Sequence, residues 1–184
     1  SSDLEKLREF TSITVSFVIM NCFSTNARDT QAVTIAAALA GVECTVTEVK
    51  TVHDKSPCNQ GPCMSTEEGY IFGTAACLRH IARAAPNSGL YGSDAACMSR
   101  VDQWLDFTST SLNVPRDAWL GPVINQKECD PAVTKVKKAA VLGALRGFNT
   151  YLLNETFLSG NEITIADIYL FVSCIDLMSL VLAK

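Results

Sequence analysis

The sequence has no apolar run near the roughly 20 residues that a bilayer-spanning helix needs. Its opening, SSDLEKLREFTS, carries mixed charge and lacks the apolar centre of an export signal. A soluble, cytoplasmic protein without membrane contact is expected. Basic residues are scarce: 15 Lys and Arg stand against 19 Asp and Glu, a net charge of −4, and the densest basic run is KVKK at 135–138. That balance excludes the electrostatic footprint of a direct nucleic-acid binder. The sequence also lacks Cys-x-x-Cys, so a dithiol redox centre is not expected. With two histidines and no second close pair beside Cys58 and Cys63, no metal is expected. The eight cysteines are read as reduced thiols. Cys77, Cys97 and Cys174 lie in apolar helical patterns, where a free Cys acts as a small hydrophobe.

What is present is an apolar fraction of 48%, enough for a packed core. ITVSFVIM (13–20) has the β-branched, two-sided apolarity of a buried strand, and NCFSTNARDT supplies a turn. RDTQAVTIAAALAG (28–41) reads as a helix ended by Gly41 at C′, and VECTVTEV (42–49) as a second strand, making a βαβ unit with parallel strands. KTVHDKSPCNQG (50–61) has no period and reads as a loop or irregular short helix. PCM (62–64) and YIF (70–72) read as an antiparallel pair, and GTAACLRHIARAA (73–85) returns to helical period.

PNSGLYGS (86–93) is the linker candidate, and everything after it is helical in pattern. The predicted helices run over 94–112, 130–153 and 164–182, with NVPRDAWLGPVINQKEC (113–129) as an exposed connector. Asp94 and Asp130 are N-cap candidates, and Pro131 suits the first helical position. Thr164 and Asp167 have the spacing of a reciprocal cap, with Ile163 placed to staple onto Ile168. The organisation expected is an extension at 1–12, an α/β domain at 13–85, a linker at 86–93 and an all-helical domain at 94–184.

SGNEITIADIYLF resembles the capped core helix of the glutathione transferase family, and NQGPCM its cis-proline segment. STEEGYIFGTAACLRHIAR is similar to its following strand and helix, and FSTNARDTQAVTIAAALAGVE to its first helix, with Arg28 where the family often has one. The likeness covers residues 13–182. It implies a thioredoxin-like N-terminal domain followed by a transferase-type helical domain. Within the family the likeness is nearest to the gamma subunits of translation elongation factor 1, on SRVDQWLDFTSTSLN, TYLLNETFLSGNEITIADI and EEGYIFGTAACLRHIAR. Against that pattern the chain reads as a fragment or a shortened member.

The resemblance implies a glutathione pocket built from Ser24, Gly61, Pro62, Gly73 and Thr74. Ser24 would stand by the ligand thiol, with Thr25 and Cys22 as neighbours, and cis-Pro62 would expose the Gly61 backbone for pairing. The helix start at Thr74 would hold the γ-glutamyl carboxylate. Gly73 stands where the family carries an acid for the ligand's ammonium, so weak or absent glutathione binding is expected, Ser24 is a vestigial catalytic candidate, and no cofactor is required. The function implied is a non-catalytic interaction domain that joins other elongation factor 1 subunits or synthetase-complex proteins, with a homodimer as a further expectation. Arg79, His80, Arg83 and Trp104 are the interface candidates. The alternatives are an active glutathione or related thiol transferase using Ser24, and an appendage of an aminoacyl-tRNA synthetase complex.

Overall fold

The computed structural model describes residues 19–25, 27–124, 128 and 130–182. The expected extension at 1–12, and residues 13–18 of the first expected strand, lie outside the described residues. Strand β1 is Ile19–Ser24, so NCFS belongs to the strand and not to the turn. Met20, Cys22 and Ser24 point inward while Ile19 faces out, the period-2 alternation of a half-buried strand.

Helix α1 (Ala27–Ala40) packs Ala32, Val33, Ala36 and Ala37 inward, small side chains that let it lie close against its neighbours. It ends as expected: Gly41 has φ 68°, Val42 N–H donates to Ala37 O and Gly41 N–H to Ala38 O, which is a Schellman closure. Strand β2 (Glu43–Glu48) pairs parallel with β1. Strands β3 (Cys63–Thr66) and β4 (Gly69–Phe72) form a hairpin, and β3 pairs antiparallel with β1, giving the order β2-β1-β3-β4. Residues 49–61 between β2 and β3 contain no regular element. They are tied by Asn59, whose Oδ1 accepts from Val52 N–H and the Thr51 hydroxyl, and Val52 is fully buried.

Helix α2 (Thr74–Ala84) buries Cys77, Leu78, Ile81 and Ala82, a single apolar stripe. A short 3₁₀ turn at Pro86–Ser88 leads to α3 (Ala95–Phe107), capped by Asp94, whose carboxylate accepts from Cys97 N–H. The helix does not stop at 112. It widens into π-type turns at Thr108–Asn113 and runs on as α4 (Val114–Ile124). Ser109 and Thr110 donate their hydroxyls to Leu105 O and Asp106 O, four residues back, which competes with the regular ladder where the turns widen.

The connector expected at 113–129 is thus helical over 114–124, and it buries Pro115, Arg116, Trp119 and Leu120. Pro115 lies just after the π-type turns, so its missing N–H falls where the regular ladder has already widened. Helix α5 (Pro131–Leu152) starts at the Asp130 cap, and α6 (Ile165–Leu177) at the reciprocal Thr164–Asp167 cap. Ile163 stays largely exposed, whereas Ile168 is buried. Asp167 also accepts from Leu158 N–H, and Ile165 N–H donates to Leu90 O, which ties the start of α6 to the linker. Helix α6 packs against α1, α2 and α3, so one apolar cluster runs through both halves.

Candidate transferase-like junction

The loop between β1 and α1, the start of β3 and the start of α2 meet at one corner. Ser24 ends β1 and is 1% exposed, and its carbonyl accepts from Val49 N–H. The Gly61–Pro62 peptide is cis. A Cβ on Gly61 would stand 3.3 Å from Ser24 Oγ and 3.5 Å from Ser24 Cα, so these two residues are packed face to face. The Pro62 carbonyl accepts from Gly73 N–H at 2.9 Å and from the Cys77 thiol at 3.7 Å, which pins the start of β3 to the start of α2.

Gly73 has φ 92° and ψ 138°, a backbone that favours glycine, and gives α2 no side-chain cap. Four of the five expected pocket residues are therefore brought together, Ser24 against Gly61 and Pro62 against Gly73. Thr74 opens α2 and lines a separate cavity on the side of the helical half. The side chain of Arg28 lies outside the described residues.

The cysteines near the corner are disarmed by burial. Cys22 is fully buried, and its thiol is pushed up to about 12, first by desolvation and then by Cys44 and Cys63. Burial likewise raises Cys77, with smaller contributions from Cys22, Cys63 and Cys44. The seven described cysteines are unpaired. Among the described residues no three His, Cys, Asp or Glu side chains are grouped to hold a metal ion, and no helix is long and apolar enough to cross a membrane.

Of the interface candidates, Arg79 donates from Nε to Asp102 at 2.6 Å and from its terminal nitrogen to Asp106 at 3.2 Å. Arg83 donates to the Tyr91 hydroxyl, which itself donates to Asp102. These groups bind α2 to α3 within the chain, though Arg83 remains exposed. His80 lines an open cavity of about 670 Å³ with Ile19, Asn21 and Glu68. Trp104 corrects the expectation. It is 8% exposed and lies among Phe107, Phe148 and Tyr151, with ring centroids 5.8, 5.3 and 4.7 Å away. An aromatic cluster from α3 and α5 makes it core, not interface.

The cavity at Thr74 has a volume of about 110 Å³ and is lined also by Asn113, Arg116, Asp117, Tyr169 and Ser173. Arg116 is buried, donates from Nε to Asp117 at 2.9 Å and to the Ser173 carbonyl at 3.1 Å. The Asn113 Oδ1 is buried and has no hydrogen-bond partner. Reading 113–129 as a connector missed these residues. The usable signal was Pro115 followed by apolar Trp119 and Leu120 one turn on, a helix start with a buried face.

The description "Glutathione S-transferase, C-terminal domain" matches residues 116–178. Solved structures share the fold: glutathione transferase F2 from Populus trichocarpa has a TM-score of 0.77 at 18% identity, covering 87% of this chain and 82% of that one. A glutathione transferase from Methylococcus capsulatus has a TM-score of 0.73 at 21% identity, over 84% and 80%. The chain has the glutathione transferase-like fold, a thioredoxin-like N-terminal part followed by a helical C-terminal part.

Among curated proteins the chain is similar to elongation factor 1-gamma. It is 35% identical over 153 residues to "Elongation factor 1-gamma" of Trypanosoma cruzi, covering 78% of this chain and 36% of that protein. It is 30% identical over 160 residues to "Elongation factor 1-gamma 3" of Oryza sativa subsp. japonica, covering 82% and 38%. The chain thus spans well under half the length of these curated relatives.

Proposed function

We propose that this chain is a non-catalytic, transferase-like interaction module of gamma-subunit type, which joins other subunits of an elongation factor 1 complex in the cytoplasm. The observation that carries the reading is the corner itself. The Ser24 side chain is buried against Gly61, and Gly73 leaves the start of α2 without an acid. Thiol transfer needs a hydroxyl that reaches the ligand sulfur and favours its thiolate. Loss of one charge-assisted contact to the ligand's ammonium costs about 1.5–3 kcal/mol, roughly ten- to hundredfold in affinity. The relatives named elongation factor 1-gamma support the choice of complex.

Two measurements test the proposal together. The purified chain is expected to pass through immobilised glutathione unretained and to turn over no generic aryl halide. Expressed with a tag, it is expected to co-purify the nucleotide-exchange subunits of elongation factor 1. Turnover that falls on Ser24→Ala overturns the proposal in favour of an active transferase. Specific recovery of aminoacyl-tRNA synthetases, without elongation factor subunits, moves the module to a synthetase complex.

A further inference from the structure

We propose that the solvent-facing side of helix α5 docks an amphipathic helix with acidic flanks, supplied by a partner protein. The inference deepens the interaction-module reading and rests on it for the use of this contact in the cell. The chemistry of the face stands on α5 itself.

Helix α5 carries two apolar stripes. Val141, Ala144 and Phe148 are buried and face the core. Val133, Val136, Ala140 and Gly143 form the second, and all four are exposed, Val133 by 46% and Val136 by 64%. Ala140 and Gly143 each precede a buried residue by one position, and one residue is about 100° of helical turn, so this stripe points to solvent and not into the core. Its steps of three, four and three residues are those of the a and d positions in a coiled-coil seam, the pattern by which one helix receives another. A Cβ on Gly143 would meet nothing within 4 Å, so the seam is open where a partner's larger side chain would enter.

Charge states what that partner carries. Lys135, Lys137, Lys138 and Arg146 lie on α5, which holds no Asp or Glu, in a chain of net charge −4. Among the described residues none of these four pairs with a carboxylate. Asp130, the acid at the helix start, is taken up in accepting from Ala132 and Val133 N–H groups. Lys137 follows Val136 and Arg146 lies three residues after Gly143, the e and g places where coiled coils carry the charge that chooses a partner. Two copies of α5 would set bases against bases, which disfavours a homodimer through this face. A helix lying in a membrane surface buries Trp, Phe or Leu, and this stripe has none. An acidic amphipathic helix meets both the seam and its flanks.

The test is an amide NMR titration of the whole chain at constant ionic strength with a synthetic peptide of three LEALEAE heptads, and with its twin in which every Glu is Lys. Saturable shifts at Val133, Val136 and Gly143 are expected with the acidic peptide, and binding about tenfold or more weaker with the twin. Gly143→Leu, at an open helical position, is expected to keep the fold by circular dichroism and to lower affinity for the acidic peptide about tenfold by filling the seam. Lys137→Glu combined with Arg146→Glu is expected to reverse the preference between the peptides. No saturable shift, shifts confined to other surfaces, equal affinity for the two peptides, or full affinity in folded Gly143→Leu overturns the proposal. So does dimerisation through α5 in sedimentation, or binding of phosphatidylserine vesicles that displaces the peptide. Recovery of elongation factor subunits by tagged Gly143→Leu as well as by the unaltered chain overturns this face and leaves the module reading standing. Binding of the acidic peptide by a chain that recovers no such subunit supports the face and overturns the module reading.

Discussion

At Cys22 the chain puts a thiol two residues before the position where a transferase would present its hydroxyl, and burial removes its chemistry. With the thiol held near 12, the thiolate fraction at pH 8 is about one in ten thousand, and the thiolate is the reactive form. Iodoacetamide at pH 8 is therefore expected to label exposed Cys58 while leaving Cys22 and Cys77 unmodified until urea unfolds the chain, as read by peptide mass spectrometry. Labelling of Cys22 in the native protein at a rate near that of Cys58 would contradict this. Residue identity made part of the corner legible: Gly73 can supply no charge whatever its surroundings, and Pro62 after Gly61 is the one bond type that takes the cis form cheaply. Trp104 was not legible in the same way. Whether a tryptophan on a helix faces core or solvent depends here on Phe148 and Tyr151, more than forty positions away in the chain.

Among the elements, α6 was the easiest to read, because its cap is local and its interior is almost wholly apolar. Asp167 accepts from Thr164 N–H, the Thr164 hydroxyl and Leu158 N–H, so one carboxylate holds both the helix start and the turn before it. Asp130 caps α5 by accepting from Ala132 and Val133 N–H groups at an exposed site. Asp167→Ala is expected to lower unfolding free energy by about 2–3 kcal/mol and Asp130→Ala by about 1 kcal/mol, measured by urea denaturation. Equal losses would mean that the bond to Leu158 contributes nothing. Helix α4 was hidden because Val-Pro and Gly-Pro pairs read as turns, while Pro115 follows the widened turns at 108–113 and Pro122 falls close to the end. The described part of β1 runs on through NCFS, where a turn was expected, because its pairing with β2 continues as far as Ser24 opposite Glu48.

For the whole molecule, the order of elements, with strands and helices alternating first and helices alone afterwards, was enough to give the two-part architecture. What composition could not convey was how completely the parts share a core. Leu78 and Ile81 of α2, Leu105 of α3 and Ile168 of α6 belong to one cluster. The halves are accordingly expected to unfold together: fluorescence of Trp104 and Trp119, both in the helical half, and exchange protection of Met20 and Cys22 in β1 should be lost at the same urea concentration. Two separated midpoints would show the halves to be independent folding units. The Pro62 carbonyl gives this coupling a mechanical side. One oxygen takes both Gly73 N–H and the Cys77 thiol, so it acts as a clamp across the base of the hairpin. A pull delivered to α2 therefore reaches β3 and the centre of the sheet through this oxygen as well as along the covalent chain through β4.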